Sequence, residues 1–198
     1  MSFPTTVNPK AISFSSNRPN SISYTLSGKR SVRQFASQYF SFSVAMPPLS
    51  QTQFQEYYAF LVSQKGAFTP FNIEYPLNNQ GADKNSSSVV TRSIHSAGAT
   101  TVAVDGLTAS TNDVIKVGDL IKFNGHNKVY LVTGDVNSNG SGQGSINIEP
   151  PLQASTTDNE AVDLNKPVLK VALSQDDILY STDATGVFDL SFDVREVL

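Results

Sequence analysis

Residues able to do chemistry are few in this chain and widely separated. Asp176-Asp177 and Asp183 bring three carboxylates into one turn-rich stretch. Carboxylate pairs do acid–base work when held across a cleft with one group desolvated. Nothing around these three predicts a cleft, so they read as solvated turn residues. Asp135-Val136-Asn137-Ser138-Asn139-Gly140 matches the first half of a calcium loop. Its twelfth position is Ile146 where a bidentate Glu is needed, Glu149 comes three residues late, and the flanks look like strands. A Gly- and Ser-rich hairpin loop fits better. His95 and His126 have no second His or carboxylate at ligand spacing. His126 follows the hairpin dipeptide Asn124-Gly125 and reads as a surface turn residue. A Ser-His-Asp triad has all its components, but no G-x-S-x-G elbow exists to present the Ser. The Gly-rich run Gly140 to Gly144 is not followed by a helix, so it makes no phosphate cradle. No catalytic residue, metal set or cofactor site is therefore expected.

Composition narrows the function further. The 198 residues suit one large domain or two small ones. Cys is absent, which removes disulfides, thiolate nucleophiles and thiolate metal sites. Hydrophobic residues reach 39%, enough for a core, while charged residues are only 16% against about 25% in an ordinary globular domain. Ser, Thr and Asn fill the gap with 56 residues, so much of the surface is neutral and rich in hydroxyls and amides. A net charge of -3 disfavours a nucleic-acid binder, which gains from a basic face. The N-terminus lacks a basic run followed by an apolar stretch, so no signal peptide is expected. No apolar run approaches the ~20 residues that span a bilayer.

The pattern of elements is mainly β with one helix. Ala11–Ser15 and Ser21–Leu26 alternate apolar and small polar residues, the period of a half-buried strand. A single long strand is predicted from Arg30 to Met46, with Phe40, Phe42, Val44 and Met46 on one face and a bulge or bend near Gln34–Gln38. Pro47-Pro48 ends it. A helix follows over 50–65, with Ser50 and Gln53 at capping-box spacing, Leu49 and Phe54 as a hydrophobic staple, and Gly66 as the residue beyond its end. Phe54, Tyr57, Tyr58, Leu61 and Val62 form its apolar stripe. Ala67 to Tyr75 returns as a strand. Asn78 to Ser88 is linker-like, and short Val/Ile/Thr-rich strands then recur between turns: Val89–Ile94, Thr100–Val104, Asp119–Phe123, Lys128–Thr133 and Ser145–Glu149. This spacing reads as a small barrel or sandwich. A second polar stretch, Ala154–Glu160, leads to strands at Pro167–Leu173 and Phe188–Val197. The expected organisation is a host β domain of residues 1–80 plus 163–198 and an inserted all-β module of residues 85–162, joined by two polar linkers at which the shape can move.

Candidate contact residues lie in the first part of the chain. Lys29, Arg30, Arg33 and Lys65 carry most of its positive charge, and the stretch Lys29–Gln38 could meet an acidic partner. The helix aromatics Phe54, Tyr57, Tyr58 and Phe60 are more than one helical face needs; core packing is one use for them, and an interface for the surplus rings is the other, since aromatic rings favour interfaces. The strand residues Phe40 and Phe42 are further contact candidates.

Some of these residues also carry a resemblance. The basic strand Lys29-Arg30-Ser31-Val32-Arg33-Gln34, the aromatic strand Phe40-Ser41-Phe42-Ser43-Val44, the helix from Pro48-Leu49-Ser50 through Ala59-Phe60-Leu61-Val62 to Gly66, and the strand Phe68 to Pro76 together resemble the N-terminal domain of distal tail proteins of tailed phages. The stretches Gly118–Phe123, Lys128–Thr133 and Ile146–Leu152 are similar to a small β-module inserted in several phage structural proteins. The resemblance covers about half the chain. It implies a ring, usually a hexamer, at the tip of the tail tube, with self, tail-tube protein and baseplate hub or fibre proteins as partners, in the virion. The chain differs from larger members in having no sizeable second C-terminal carbohydrate-binding-like domain.

A non-enzymatic structural ring protein is the leading expectation. An adhesin-like module that recognises a glycan or a fibre protein is the rival. Its sugar platforms would be Phe123 and Tyr130. A cell-wall hydrolase would have to draw acid and base from Asp135, Glu149, Glu160 or Asp177, none of which lies in a motif.

Overall fold

The computed structural model describes residues 1–34, 38–75, 78–183 and 186–198. The protein is mostly β with one helix, as the sequence pattern predicts. The chain divides into two compact units, Met1–Phe71 with Val171–Leu198, and Asn72–Lys170.

The first unit is built on β1 (Ala11–Asn17), β2 (Asn20–Tyr24), β3 (Arg30–Gln34), β4 (Tyr39–Ala45) and α1 (Gln51–Ser63). The second unit's barrel holds β6 (Val90–Thr91), β7 (Thr101–Asp105), β8 (Leu120–Phe123), β9 (Val129–Val132), β10 (Gly144–Glu149) and β11 (Val162–Asp163). Strands β5 (Phe71–Glu74) and β12 (Val168–Leu173) contain the two points of division, and β13 (Tyr180–Thr182) and β14 (Phe188–Glu196) complete the first unit.

The first unit's sheet has the order β1-β4-β14-β12-β5, with β13 also paired to β14. Alternation sorts its faces. Phe40, Phe42 and Val44 of β4 and Leu190, Phe192 and Val194 of β14 point inward and are buried. The opposite face carries Ser13 beside Ser43 beside Asp193, and Ser15 beside Ser41 beside Arg195. Small hydroxyl residues thus line the outward face.

Helix α1 begins as the spacing predicts. Gln53 Oε1 accepts from the Ser50 N–H at 3.1 Å and the Ser50 hydroxyl at 3.0 Å. Leu49 and Phe54 are both buried, as a staple requires. Phe54, Tyr57 and Leu61 face the core, whereas Val62 is exposed. The helix ends one residue earlier than Gly66 requires: Lys65 takes the left-handed position with φ 58°, and Gly66 opens a short 3-10 turn. The N-terminal segment covers the helix. Phe3 packs against Tyr57, Phe60 and Phe192, and the buried Tyr57 hydroxyl donates to Val7 O at 3.1 Å and accepts from Val7 N at 2.7 Å.

The expected single strand from Arg30 to Met46 is two strands in two sheets. The β1–β4 ladder stops at Asn17 opposite Tyr39, and a separate two-stranded ladder, β2–β3, starts at Asn20 opposite Gln34. Asn17 lies opposite Tyr39 but Asn20 opposite Gln34, so the two ladders are two residues out of a common register. Pro19 also has no N–H to give to a ladder. The expected bend falls mostly on residues 35–37, outside the described residues.

The second unit's sheet has the order β11-β8-β9-β10-β7-β6. Its two ends meet: Val162 N donates to Val89 O at 2.9 Å and Thr91 N to Glu160 O at 2.9 Å. A nearly closed six-stranded barrel results. Val102, Val104, Ile121, Phe123, Tyr130, Val132, Ile146 and Ile148 fill it.

The Tyr57 bonds yield a test. Tyr57→Phe keeps the ring and strips both Val7 backbone groups of their partner, so unfolding in urea should lose about 1–2 kcal/mol of stability.

Candidate functional site

The residues with chemical potential are occupied by the fold itself. Around the calcium-like stretch, Asp135 Oδ1 accepts from Val117 N at 2.9 Å, Asn137 Oδ1 from Asp113 N at 2.9 Å, and Asn139 Oδ1 from Ser141 N at 2.9 Å and Gln143 N at 3.0 Å. The oxygens that would ligate a cation instead cap amides, those of Val117 and Asp113 outside the loop and of Ser141 and Gln143 within it. Among the described residues no group of three or more acidic, His or Cys side chains could hold a metal ion.

The histidines are structural as well. His95 is half-buried, and its Nε2 accepts from Ala103 N at 3.0 Å while its backbone exchanges hydrogen bonds with Thr156. His126 corrects the surface-turn expectation. It does sit in the turn after β8, but it is only 7% exposed, its Nδ1 lies 2.7 Å from the Tyr130 hydroxyl, and its ring packs on Phe123. A turn dipeptide indicates backbone shape and says nothing about which way the next side chain points. Phe123 and Tyr130 are fully buried, so neither ring offers a sugar platform.

The carboxylates around β13 lie on the surface. Asp176 Oδ1 accepts from Ala67 N at 3.1 Å, Asp183 Oδ1 accepts from Val187 N at 3.1 Å, and Asp177 is exposed. Glu160 of the second unit is a backbone partner: Oε1 accepts from Gly125 N at 2.7 Å and Oε2 from Thr157 N at 2.8 Å. None of these faces another carboxylate across a cavity. Burial pushes the Tyr75 phenol above its usual range, which keeps it neutral.

Both stretches read as linkers are bonded into the barrel. Asn79, buried, donates from Nδ2 to Leu120 O at 2.6 Å and Leu164 O at 2.8 Å and accepts from Leu120 N at 3.0 Å. Asp119 accepts from Gln80 N at 2.7 Å, Gly81 N at 3.0 Å and Lys116 N at 2.9 Å. Asp83 accepts from Thr108 N at 2.7 Å and the Thr108 hydroxyl at 2.6 Å. A Cβ at Gly81 would lie 2.7 Å from Ile115 Cα, so the segment passes too close to the barrel for any side chain there. At the other stretch, the Thr91 hydroxyl donates to Thr157 O at 2.7 Å and accepts from Glu160 N at 2.9 Å. Polar composition signalled a loop here. It could not reveal that Asn79, Asp83 and Glu160 have backbone partners far away in sequence.

What remains for a functional site is surface, and the predicted contact residues divide there. Phe40, Phe42 and Tyr57 are core residues, at 3%, 5% and 0% exposure. Phe60 is half-buried against Phe3 and Phe71. Tyr58 is half-buried between Phe54 and Tyr180. The surplus of rings is thus spent within the first unit. Lys29, Arg30, Arg33 and Lys65 are exposed. The first three belong to the β2–β3 hairpin, an arm whose residues are nearly all exposed on both faces. One arm face pairs Ile22 with Val32 and Tyr24 with Arg30, and the other pairs Ser21 with Arg33 and Ser23 with Ser31. Among the described residues no helix is long and apolar enough to cross a membrane.

The Asp119 geometry predicts a stability effect without any change of chemistry. Asp119→Asn replaces one accepting oxygen with a donor that faces backbone N–H groups. Thermal unfolding should reveal a loss of about 1–3 kcal/mol. The occupied loop oxygens predict that millimolar calcium leaves the melting temperature unchanged.

Comparison with known families places part of the chain. Residues 83–168 match the family model described as distal tail protein pb9, B domain. That segment lies within the barrel unit. The match covers less than half of the chain and makes this segment similar to a domain of a distal tail protein. No curated protein matches the chain.

Proposed function

We propose that the protein is a structural ring component of a phage tail, joining the tail tube to the tail tip. The match of residues 83–168 to a distal tail protein domain carries this reading. Three features of the first unit support it. The sheet is open, with β1 at one edge. Its outward face is lined by Ser13, Ser15, Ser41, Ser43 and Ser191, which suits an unreactive lumen. An exposed β-hairpin stands ready for contact with another chain. In this reading the first unit builds the ring, the barrel of the second unit decorates it, and copies of this chain, the tail-tube protein and hub or fibre proteins are the partners. The chain does its work by shape, and no residue is assigned to catalysis.

Light scattering on the purified chain at rising concentration, alone and with tail-tube protein, tests this. A closed homo-oligomer, with six copies as the expected order, is the predicted result. A particle that stays monomeric under every such condition would sink the ring. Antibody labelling of intact virions should decorate the tail tip alone.

A further inference from the structure

We propose that the β2–β3 arm of one copy docks on the acidic end of the first unit in a second copy. The inference rests on the self-assembly in the proposed function and names the contact that drives it.

The arm is incomplete as it stands. Among the described residues its two strands form a ladder only with each other. Isolated two-stranded hairpins are marginal in water, and their outer edges invite another partner. Ile22 and Val32, opposite each other, are 50% and 47% exposed, and Tyr24 is 69% exposed. These apolar side chains have no cover within the arm.

Charge selects the occupant. From Lys10 to Gln34 the chain carries five cations (Lys10, Arg18, Lys29, Arg30 and Arg33) and no carboxylate. From Val171 to Leu198 it carries six carboxylates and one Arg. Asp176, Asp177, Asp183 and Asp189 of that segment lie on or beside β13 and the start of β14, and all four are exposed. Edge strand β13 accompanies them, with Leu179 71% and Tyr180 49% exposed. A basic arm with an apolar face therefore has a counterpart on the same chain: an acidic strand edge with its own apolar side chains.

Register places the counterpart at the opposite end of the sheet from the arm's root. The arm leaves the β1–β4 ladder at Asn17 and Tyr39. Strand β14 pairs with β4 so that Arg195 lies opposite Ser41 and Ser191 opposite Ala45. Residues 188–190, and β13 paired to them, therefore lie past Ala45, at the far end of the ladder. The arm's root and the carboxylates thus stand at opposite ends of the seven-residue strand β4, so a second copy added end to end brings an arm against an acidic end. Two different patches on every copy make a heterologous contact, which closes into a ring when the rotation permits.

The full chain tests this in four forms: wild type, R30E/R33E, D177K/D189K, and an equimolar mixture of the two variants. Sedimentation at about 0.05 M and 0.5 M salt reads the outcome. Wild type should associate, and about tenfold more weakly at the higher salt. Each variant alone should lose about 100-fold in association. The mixture should recover it, because the natural arm of one variant meets the natural carboxylates of the other. All these side chains are exposed, so circular dichroism and melting temperature should match wild type. Assembly of R30E/R33E at wild-type strength would overturn the arm contact and leave the ring standing. A wild type that never associates would overturn both. Normal self-assembly of R30E/R33E with lost binding to tail-tube protein would overturn the second copy as the arm's occupant.

Discussion

The structure turns on one constraint: every strand edge presents N–H and C=O groups that must find partners. The two units meet it in opposite ways. In the barrel the first and last strands meet through Val162 N to Val89 O and Thr91 N to Glu160 O, so the sheet has almost no edge left. The first unit keeps an open sheet with β1 and β13 at edges and a hairpin arm that, among the described residues, forms a ladder only with itself. One unit is completed within the chain. The other leaves edges that a second chain can complete.

Polar side chains follow the same division. In the barrel they substitute for missing backbone partners. Asn79 serves three backbone groups on Leu120 and Leu164, Asp119 serves three amides, and Thr91 serves two backbone groups. A buried backbone group left unpaired costs about 1–3 kcal/mol, so these side chains are structural parts. The loop oxygens of Asp135, Asn137 and Asn139 are used in the same way, which explains how a half-matched calcium motif can serve a fold. In the first unit Tyr57 and Glu196 serve backbone groups in the same way, but rows of serines beside Asp193 and Arg195 lie on the outward face of the sheet. There they have no backbone to serve and are free to define a surface.

How far the sequence discloses this depends on the range of the interaction. Period-2 alternation located most strands, and Ser50, Gln53, Leu49 and Phe54 marked the helix start, because those signals span only a few residues. Long-range pairing was hidden. The run from Arg30 to Met46 alternates well enough for one strand, but its partners on the other side, interrupted at Arg18-Pro19, divide it into two. The short strands β11 and β13 carry too few residues for a periodic signal and exist because β8 and β14 hold them. Burial was equally hidden. His126 looks solvated from its turn, and Phe40, Phe42 and Tyr57 look available from their number. Only the packing of Phe123 on one side and of the N-terminal segment on the other decides otherwise. The arm's cations were legible because charge requires no partner within the chain to be seen.

Burial of the aromatics changes what an assembly contact can be made of. A ring joined through Phe40, Phe42 and Tyr57 would need the first unit to open, at a cost of about 1.5–3 kcal/mol for each large side chain exposed. A contact through the arm requires no opening. Its strands already have their twist and register, its apolar pairs are already exposed, and its cations sit where no carboxylate of the arm competes for them. Preorganisation of this kind lowers the ordering cost of association. It also gives direction. The cations leave the sheet at one end and the carboxylates gather at the other, so in the proposed contact like ends would repel and copies would add head to tail. With so few charges on the chain, their placement would then set the order in which shapes meet.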